Sequence, residues 1–160
     1  MSQFRVEKRR LEAELTLSNG DRLAGCFFLA TSNATHTGPE RVAELLNDEH
    51  GFFPFESAGS ADTVLVNRNH LVVARLLGGT EEVRLDPGYD VATVRPAFLK
   101  LSNRMELRGL VRIYLPEGRD RLSDYARAPE LFRYVETPEA IFVVNTAHIV
   151  ELSDLPGVRS

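Results

Sequence analysis

The chain has few of the residues that build covalent or metal-held frameworks. Its 160 residues include one cysteine, Cys26, which excludes an intramolecular disulfide and a cysteine-built zinc site. The four histidines do not show the spacing of metal ligands. No catalytic base is evident near Cys26, so we interpret it as a partly buried structural thiol. The sequence predicts no metal, no cofactor and a reducing cytoplasmic location.

Long apolar runs are also missing. No stretch approaches the roughly 20 apolar residues of a membrane span, and the N-terminal residues lack the apolar core of a signal peptide. We therefore expect neither membrane insertion nor secretion.

Positive charge is in deficit, with 19 basic against 23 acidic residues and a formal net charge of −4. Non-specific nucleic-acid binding depends mainly on a basic surface that neutralises phosphates. The charge balance therefore disfavours RNA or DNA as a partner.

Catalytic signatures are absent as well. The sequence contains no glycine-rich phosphate loop, no Gly-x-Ser-x-Gly elbow and no paired-carboxylate arrangement. The prediction is that the protein is not an enzyme and has no catalytic residues.

What the chain does contain is an internal repeat. The segment LTLSNGDRLAG at 15–25 returns as LKLSNRMELRG at 99–109, and VNRNHLV at 66–72 returns as VNTAHIV at 144–150. The blocks keep their order and the spacing drifts only by loop-sized gaps, which indicates a duplication. We predict two units, residues 1–84 and 85–160, that share an interface because units this small bury little surface alone.

The start of each unit reads as a β-hairpin. Apolar residues alternate with polar ones before and after Asn19-Gly20, the strongest short hairpin signal. Gly25 lies on the inward face of the second strand, which indicates a bend or a close backbone approach. The second hairpin has Arg104 where the first has Gly20, and we expect a different turn type there.

Each unit continues with a short helix and further strands. Apolar spacing predicts helices near 41–48 and 119–127. The aromatic cluster Phe52, Phe53 and Phe55 is interpreted as core beneath the first helix. The fold class is therefore mainly β with short helices.

The order of these elements resembles that of the Sm-like family. Each unit reads strand, Asn-containing hairpin, bent strand with a central glycine, insertion, strand, polar turn and strand. The end of the second unit, residues 145–150, is similar to the end of the second Sm motif of the bacterial Sm-like RNA chaperone, whose Lys-His pair contacts RNA. That lysine position holds Asn69 or Ala147 here. The resemblance, shared with SH3-like barrels and uncharacterised bacterial repeat proteins, implies two tandem small β-barrels, each with an inserted short helix.

The candidate binding residues come from the repeated polar turn and from one strand. Asn67 with His70, and Asn145 with His148, repeat the pattern Asn-x-x-His, either as turn caps with half-buried histidines or as contacts to a nucleotide or protein. Arg108 and Arg112 share a strand face, which is either a solvated face or a surface for an anionic partner.

Two functions follow from these residues. The first is a non-catalytic interaction or assembly module that binds itself, as a homo-oligomer, or another protein. The alternative is RNA or nucleotide binding through the two polar turns, assisted by Arg108 and Arg112.

Overall fold

Ten β-strands dominate the computed structural model, which describes residues 8–31, 39–60, 62–78, 83–84, 88–115, 118–119 and 121–155. The strands are β1 Lys8–Leu17, β2 Arg22–Ala30, β3 Phe52–Ser57, β4 Thr63–Asn67, β5 Leu71–Leu76, β6 Thr93–Leu101, β7 Glu106–Ile113, β8 Phe132–Glu136, β9 Ile141–Asn145 and β10 Ile149–Asp154. The helices are α1 Val42–Asp48 and α2 Leu122–Arg127, and single 3-10 turns occupy Arg68–His70 and Thr146–His148. The mainly β class with short helices is confirmed. No helix in these ranges is long and apolar enough to cross a membrane.

All ten strands pair antiparallel in one sheet, in the order β10-β6-β7-β8-β9-β5-β1-β2-β3-β4. The first five strands occur in the order β5-β1-β2-β3-β4, and the last five repeat it as β10-β6-β7-β8-β9. The sheet is open, and β4 and β10 are its edges. Two closed barrels are therefore not confirmed, and the boundary between 84 and 85 stays a prediction because residues 85–87 lie outside the described ranges.

Both predicted hairpins form, and their turns are alike. The amide of Gly20 donates to the Leu17 carbonyl and that of Arg104 to the Leu101 carbonyl, each at 2.9 Å. Gly20 has φ +94° and Arg104 has φ +73°. The expectation of a different turn type is wrong, because the arginine adopts the left-handed conformation that the glycine adopts. The side chain of Asn103 supports this turn by accepting from the Met105 amide at 3.0 Å.

The glycine of each second strand allows another backbone to approach. A Cβ atom on Gly25 would lie 1.8 Å from the Glu56 carbonyl oxygen, and one on Gly109 would lie 2.6 Å from the Glu136 carbonyl oxygen. Both distances are shorter than van der Waals contact, so a side chain fits at neither position. The close approach predicted for Gly25 is confirmed.

The two halves meet where β5 pairs with β9. Val73 lies opposite Val144, and Leu76 lies opposite Ile141. The residues of both strands are buried on both faces at this junction, except for Arg75, which is exposed. Leu71, Ala74, Leu76, Ile141 and Val143 belong to one core, and Val72, Val73, Phe142 and Val144 belong to the other. Neither core is therefore built by one half alone.

The aromatic cluster is divided between the two faces of β3. Phe53 and Phe55 are buried and pack on Phe27, with ring centroids 5.6 and 5.4 Å apart. Phe52 is exposed because successive strand residues alternate between faces. The core interpretation is right for two of the three phenylalanines and wrong for Phe52.

Candidate functional site

The repeated Asn-x-x-His segments form the two 3-10 turns. The Oδ1 atom of Asn67 accepts from the Asn69 amide at 3.0 Å, and that of Asn145 accepts from the Ala147 amide at 2.9 Å. A short side chain that accepts two residues ahead stabilises such a turn. The capping role considered for these asparagines is present in both copies.

Each histidine ties its 3-10 turn to the hairpin of the same half. Ser18 Oγ lies 2.7 Å from His70 Nδ1, and Ser102 Oγ lies 2.8 Å from His148 Nδ1. The amides of the two serines also donate to the carbonyls of the same histidines, both at 2.8 Å. The serine and histidine therefore fix the position of each turn relative to β1 or β6.

The pairing of β5 with β9 brings the two turns side by side. His148 Nε2 lies 2.9 Å from the Asn69 carbonyl oxygen. A carbonyl only accepts, so Nε2 is the donor of this bond, while Nδ1 on the other side of the ring bonds the Ser102 hydroxyl. One imidazole thus connects a turn, a hairpin and the opposite half.

Asn145 makes a second contact across this junction. Its side chain is buried, and Nδ2 donates to the Leu71 carbonyl at 2.9 Å. The same side chain caps its own turn through Oδ1. Asn145 is therefore satisfied by one bond within its half and by bonds to two carbonyls of the other half, that of Leu71 at 2.9 Å and that of Arg68 at 3.4 Å.

The first copy of the motif lies at the free edge of the sheet and lacks these contacts. Within the described residues, Asn67 Nδ2 and His70 Nε2 donate no hydrogen bond, although both residues keep the bonds that shape the turn. The second motif therefore faces backbone carbonyls of the other half, whereas the first motif faces none among the described residues.

Exposure of apolar residues shows the same difference. On the β4 side, Phe52 is 58% and Leu65 is 69% exposed, whereas their counterparts at the junction, Phe132 and Val143, are 1% and 0% exposed. On the β10 side, Val150 is 63% exposed and its junction counterpart Val72 is 0% exposed. Both sheet edges thus expose apolar residues at positions whose counterparts are buried at the junction.

The two candidate arginines differ in their surroundings. Arg108 is exposed, packs over Phe98 at 4.8 Å and has Glu106 at 3.7 Å. Arg112 is half-buried, donates from Nε to Glu136 at 2.6 Å and packs over the Tyr89 ring at 3.6 Å. The structure does not bring either arginine into contact with the 3-10 turns, and the charge of Arg112 is matched by a carboxylate.

A cleft of about 480 Å³ lies between α1, α2 and β8. Its cationic groups already have partners: Arg41 bonds Glu44 at 3.0 Å, and Arg133 donates to the carbonyls of Tyr125, Ala128 and Glu130. Arg112, the third arginine among the described residues that line the cleft, is paired with Glu136, so each of the three already has an acceptor.

Cys26 is the one cysteine of the chain, and its thiol is free. Burial, Glu12 and Glu56 raise the pKa of the Cys26 thiol, which keeps it protonated. No group of three or more potential metal ligands occurs within the described residues.

Sequence reasoning identified both Asn-x-x-His turns and missed what lies next to them. Two uninterrupted apolar runs, 71–74 and 141–144, signalled the junction, because strands buried on both faces lose the alternation of half-buried ones.

No protein-family model, curated protein or solved structure matches the chain.

Proposed function

We propose that the protein is a non-catalytic assembly module that joins copies of itself through the sheet edges β4 and β10. The observation that carries this proposal is the contrast in burial. Residues that are exposed at the two edges have counterparts that are buried where β5 meets β9.

Edge strands are the part of a sheet that most readily pairs with another chain. They present unpaired backbone donors and acceptors, and natural proteins usually cover or charge them. In β4 the edge includes the exposed residues Val64 and Leu65, and in β10 it includes Val150. Pairing would satisfy the backbone groups and remove apolar surface from water.

The same proposal includes the architecture of the halves. The repeated strand order supports two tandem Sm-like or SH3-like units, one of which supplies β5 and the other β9 at the junction. The whole chain has one free edge of each kind, β4 and β10, so one chain can join another as its two halves join each other.

The test is the molar mass in solution as a function of concentration. Size-exclusion chromatography with light scattering is expected to show a mass that rises above the 17.9 kDa of one chain. Leu65→Lys places a charge on the β4 edge and is expected to restore the monomer. Val91→Lys is the matched control, since Val91 is exposed and precedes β6.

A monomer mass at every concentration up to the high micromolar range would refute the proposal. Equal loss of association in both lysine variants would also count against it, because the effect would then be one of charge and not of the β4 edge.

RNA or nucleotide binding is the alternative, and the contacts of the second turn favour assembly over it. The donors of Asn145 and His148 already bond backbone carbonyls of the first half, and Arg112 is paired with Glu136. A fluorescence titration with mixed RNA at low salt is expected to show no binding. Binding that weakens steeply with salt would reverse this preference.

A further inference from the structure

The internal junction specifies how two copies would join. The two Asn-x-x-His motifs are 78 residues apart, so β4 corresponds to β9 and β10 corresponds to β5. At the junction Ala74 lies opposite Val143. Applying the same correspondence places Leu152 of one copy opposite Leu65 of the next.

We propose that Asn67 and His70 are the specificity-determining residues of that intermolecular contact, a claim that rests on the proposed assembly. Asn67 Nδ2 donates to the Ile149 carbonyl of a second copy, as Asn145 Nδ2 donates to Leu71 within the chain. His70 Nε2 donates to the Ala147 carbonyl of that copy, as His148 Nε2 does to Asn69.

The state of the first motif supports this assignment. The Oδ1 atom of Asn67 and the Nδ1 atom of His70 are bonded as in the second copy, so both side chains are already oriented by their own half. Their other donors have no hydrogen-bond acceptor within the described residues. A second copy that presents β10 would supply the two carbonyls without a change in either turn.

The intermolecular contact is weaker than the internal one. Glu151 and Asp154 occupy the β10 positions that Val73 and Leu76 occupy in β5. At the internal junction, Asn47 of α1 also exchanges two hydrogen bonds with the backbone of Phe132. In the intermolecular contact the equivalent residue of α2 is Arg127, whose side chain can donate but not accept. Assembly is therefore concentration-dependent, while the internal junction persists in the single chain.

The contact is also directional. A β4 edge meets a β10 edge and never its own kind, so the interface is heterologous, and it closes into a ring only if the rotation per chain allows it. A two-fold dimer that joins β4 to β4 or β10 to β10 is not expected.

The first test removes one donor and keeps the turn. Asn67→Asp retains the oxygen that caps the 3-10 turn and loses Nδ2. We expect the dissociation constant of self-association to rise about 10- to 100-fold in this variant, because a carboxylate would face a carbonyl oxygen in a buried contact. Thermal unfolding of the dilute monomer should not change. Asn69→Ala is the matched control, because the equivalent residue is already Ala147.

The second test measures the register. Two chains, both carrying Cys26→Ala, receive Leu65→Cys and Leu152→Cys respectively. On oxidation their mixture is expected to form a disulfide-linked pair, and a mixture of Leu65→Cys with Glu151→Cys is expected not to.

These outcomes separate the two claims. Assembly that Asn67→Asp leaves unchanged, or that cross-links only in the shifted register, overturns this inference and leaves the assembly function standing. A wild-type chain that never associates overturns both.

Discussion

The backbone at Gly25 lies so close to Glu56 that a Cβ atom would come within 1.8 Å of the Glu56 carbonyl oxygen. Gly25→Ala must therefore separate β2 from β3, and we expect it to lower the free energy of unfolding by about 3 kcal/mol or more. Gly109→Ala should cost less, since its closest distance is 2.6 Å. Gly59→Ala is the control, because a Cβ atom on Gly59 would meet no atom beyond its chain neighbours within 4 Å. Denaturant unfolding that ranks the three variants otherwise would contradict this explanation.

Arg104 carries a conformational cost that the first hairpin avoids. Its φ of +73° is a left-handed value, which disfavours side chains by about 1 kcal/mol, while Gly20 adopts such a value freely. Arg104→Gly is expected to stabilise the protein by roughly that amount, and Gly20→Arg to destabilise it similarly. Thermal denaturation of the two variants measures both, and a destabilised Arg104→Gly would show that the arginine side chain contributes more than its backbone costs.

The ion pair of Arg112 and Glu136 is half-buried, with side-chain exposures of 17% and 16%. Arg112→Met leaves the Glu136 carboxylate without its cation, and we expect a loss of about 2 kcal/mol of stability. Arg108→Met removes an exposed arginine at the same face and should change stability by less than about 0.5 kcal/mol. Equal effects in urea unfolding would argue against the buried pairing.

Burial of Tyr125 is expected to make the folded protein less stable as the pH rises into the alkaline range. Burial raises its pKa to about 12, against the opposing charge of Arg133, compared with an ordinary value of 10.0. The folded state holds the phenolic proton more tightly than the unfolded state, so this contribution is fully present below pH 10 and is lost as pH rises towards 12. The loss amounts to roughly 2 to 3 kcal/mol. Urea unfolding across this range should show a shallower decline in Tyr125→Phe, and equal slopes would contradict the assignment.

Local features of the fold could be predicted from the sequence because nearby residues determine them. The Asn-containing hairpins, the close approach at Gly25 and helix α1 all follow from turn residues, apolar spacing and an absent side chain. Phe52 was misplaced because three phenylalanines within four residues were interpreted as one cluster. Strict alternation along β3 would have separated Phe52 from Phe53 and Phe55.

The junction and the pairing of Arg112 could not be read in the same way. β5 and β9 are distant in the chain, and their apolar runs indicate burial on both faces without indicating which strand lies opposite. Arg112 likewise gains Glu136 and Tyr89 from other segments, so its alternating position predicted a solvated face and not an ion pair. The candidate turns were identified because they recur in the sequence, but the β5–β9 pairing that brings them together was not predicted.

The burial of β9 on both faces also bears on how freely the two repeats can diverge. Ile141 and Val143 fill one core while Phe142 and Val144 fill the other, so one substitution in this strand disturbs both halves. In its counterpart β4, Val64 and Leu65 are exposed, and only Val66 packs in a core. The central strands must therefore suit cores that both halves share, whereas the exposed edge residues Leu65 and Val150 belong to neither core.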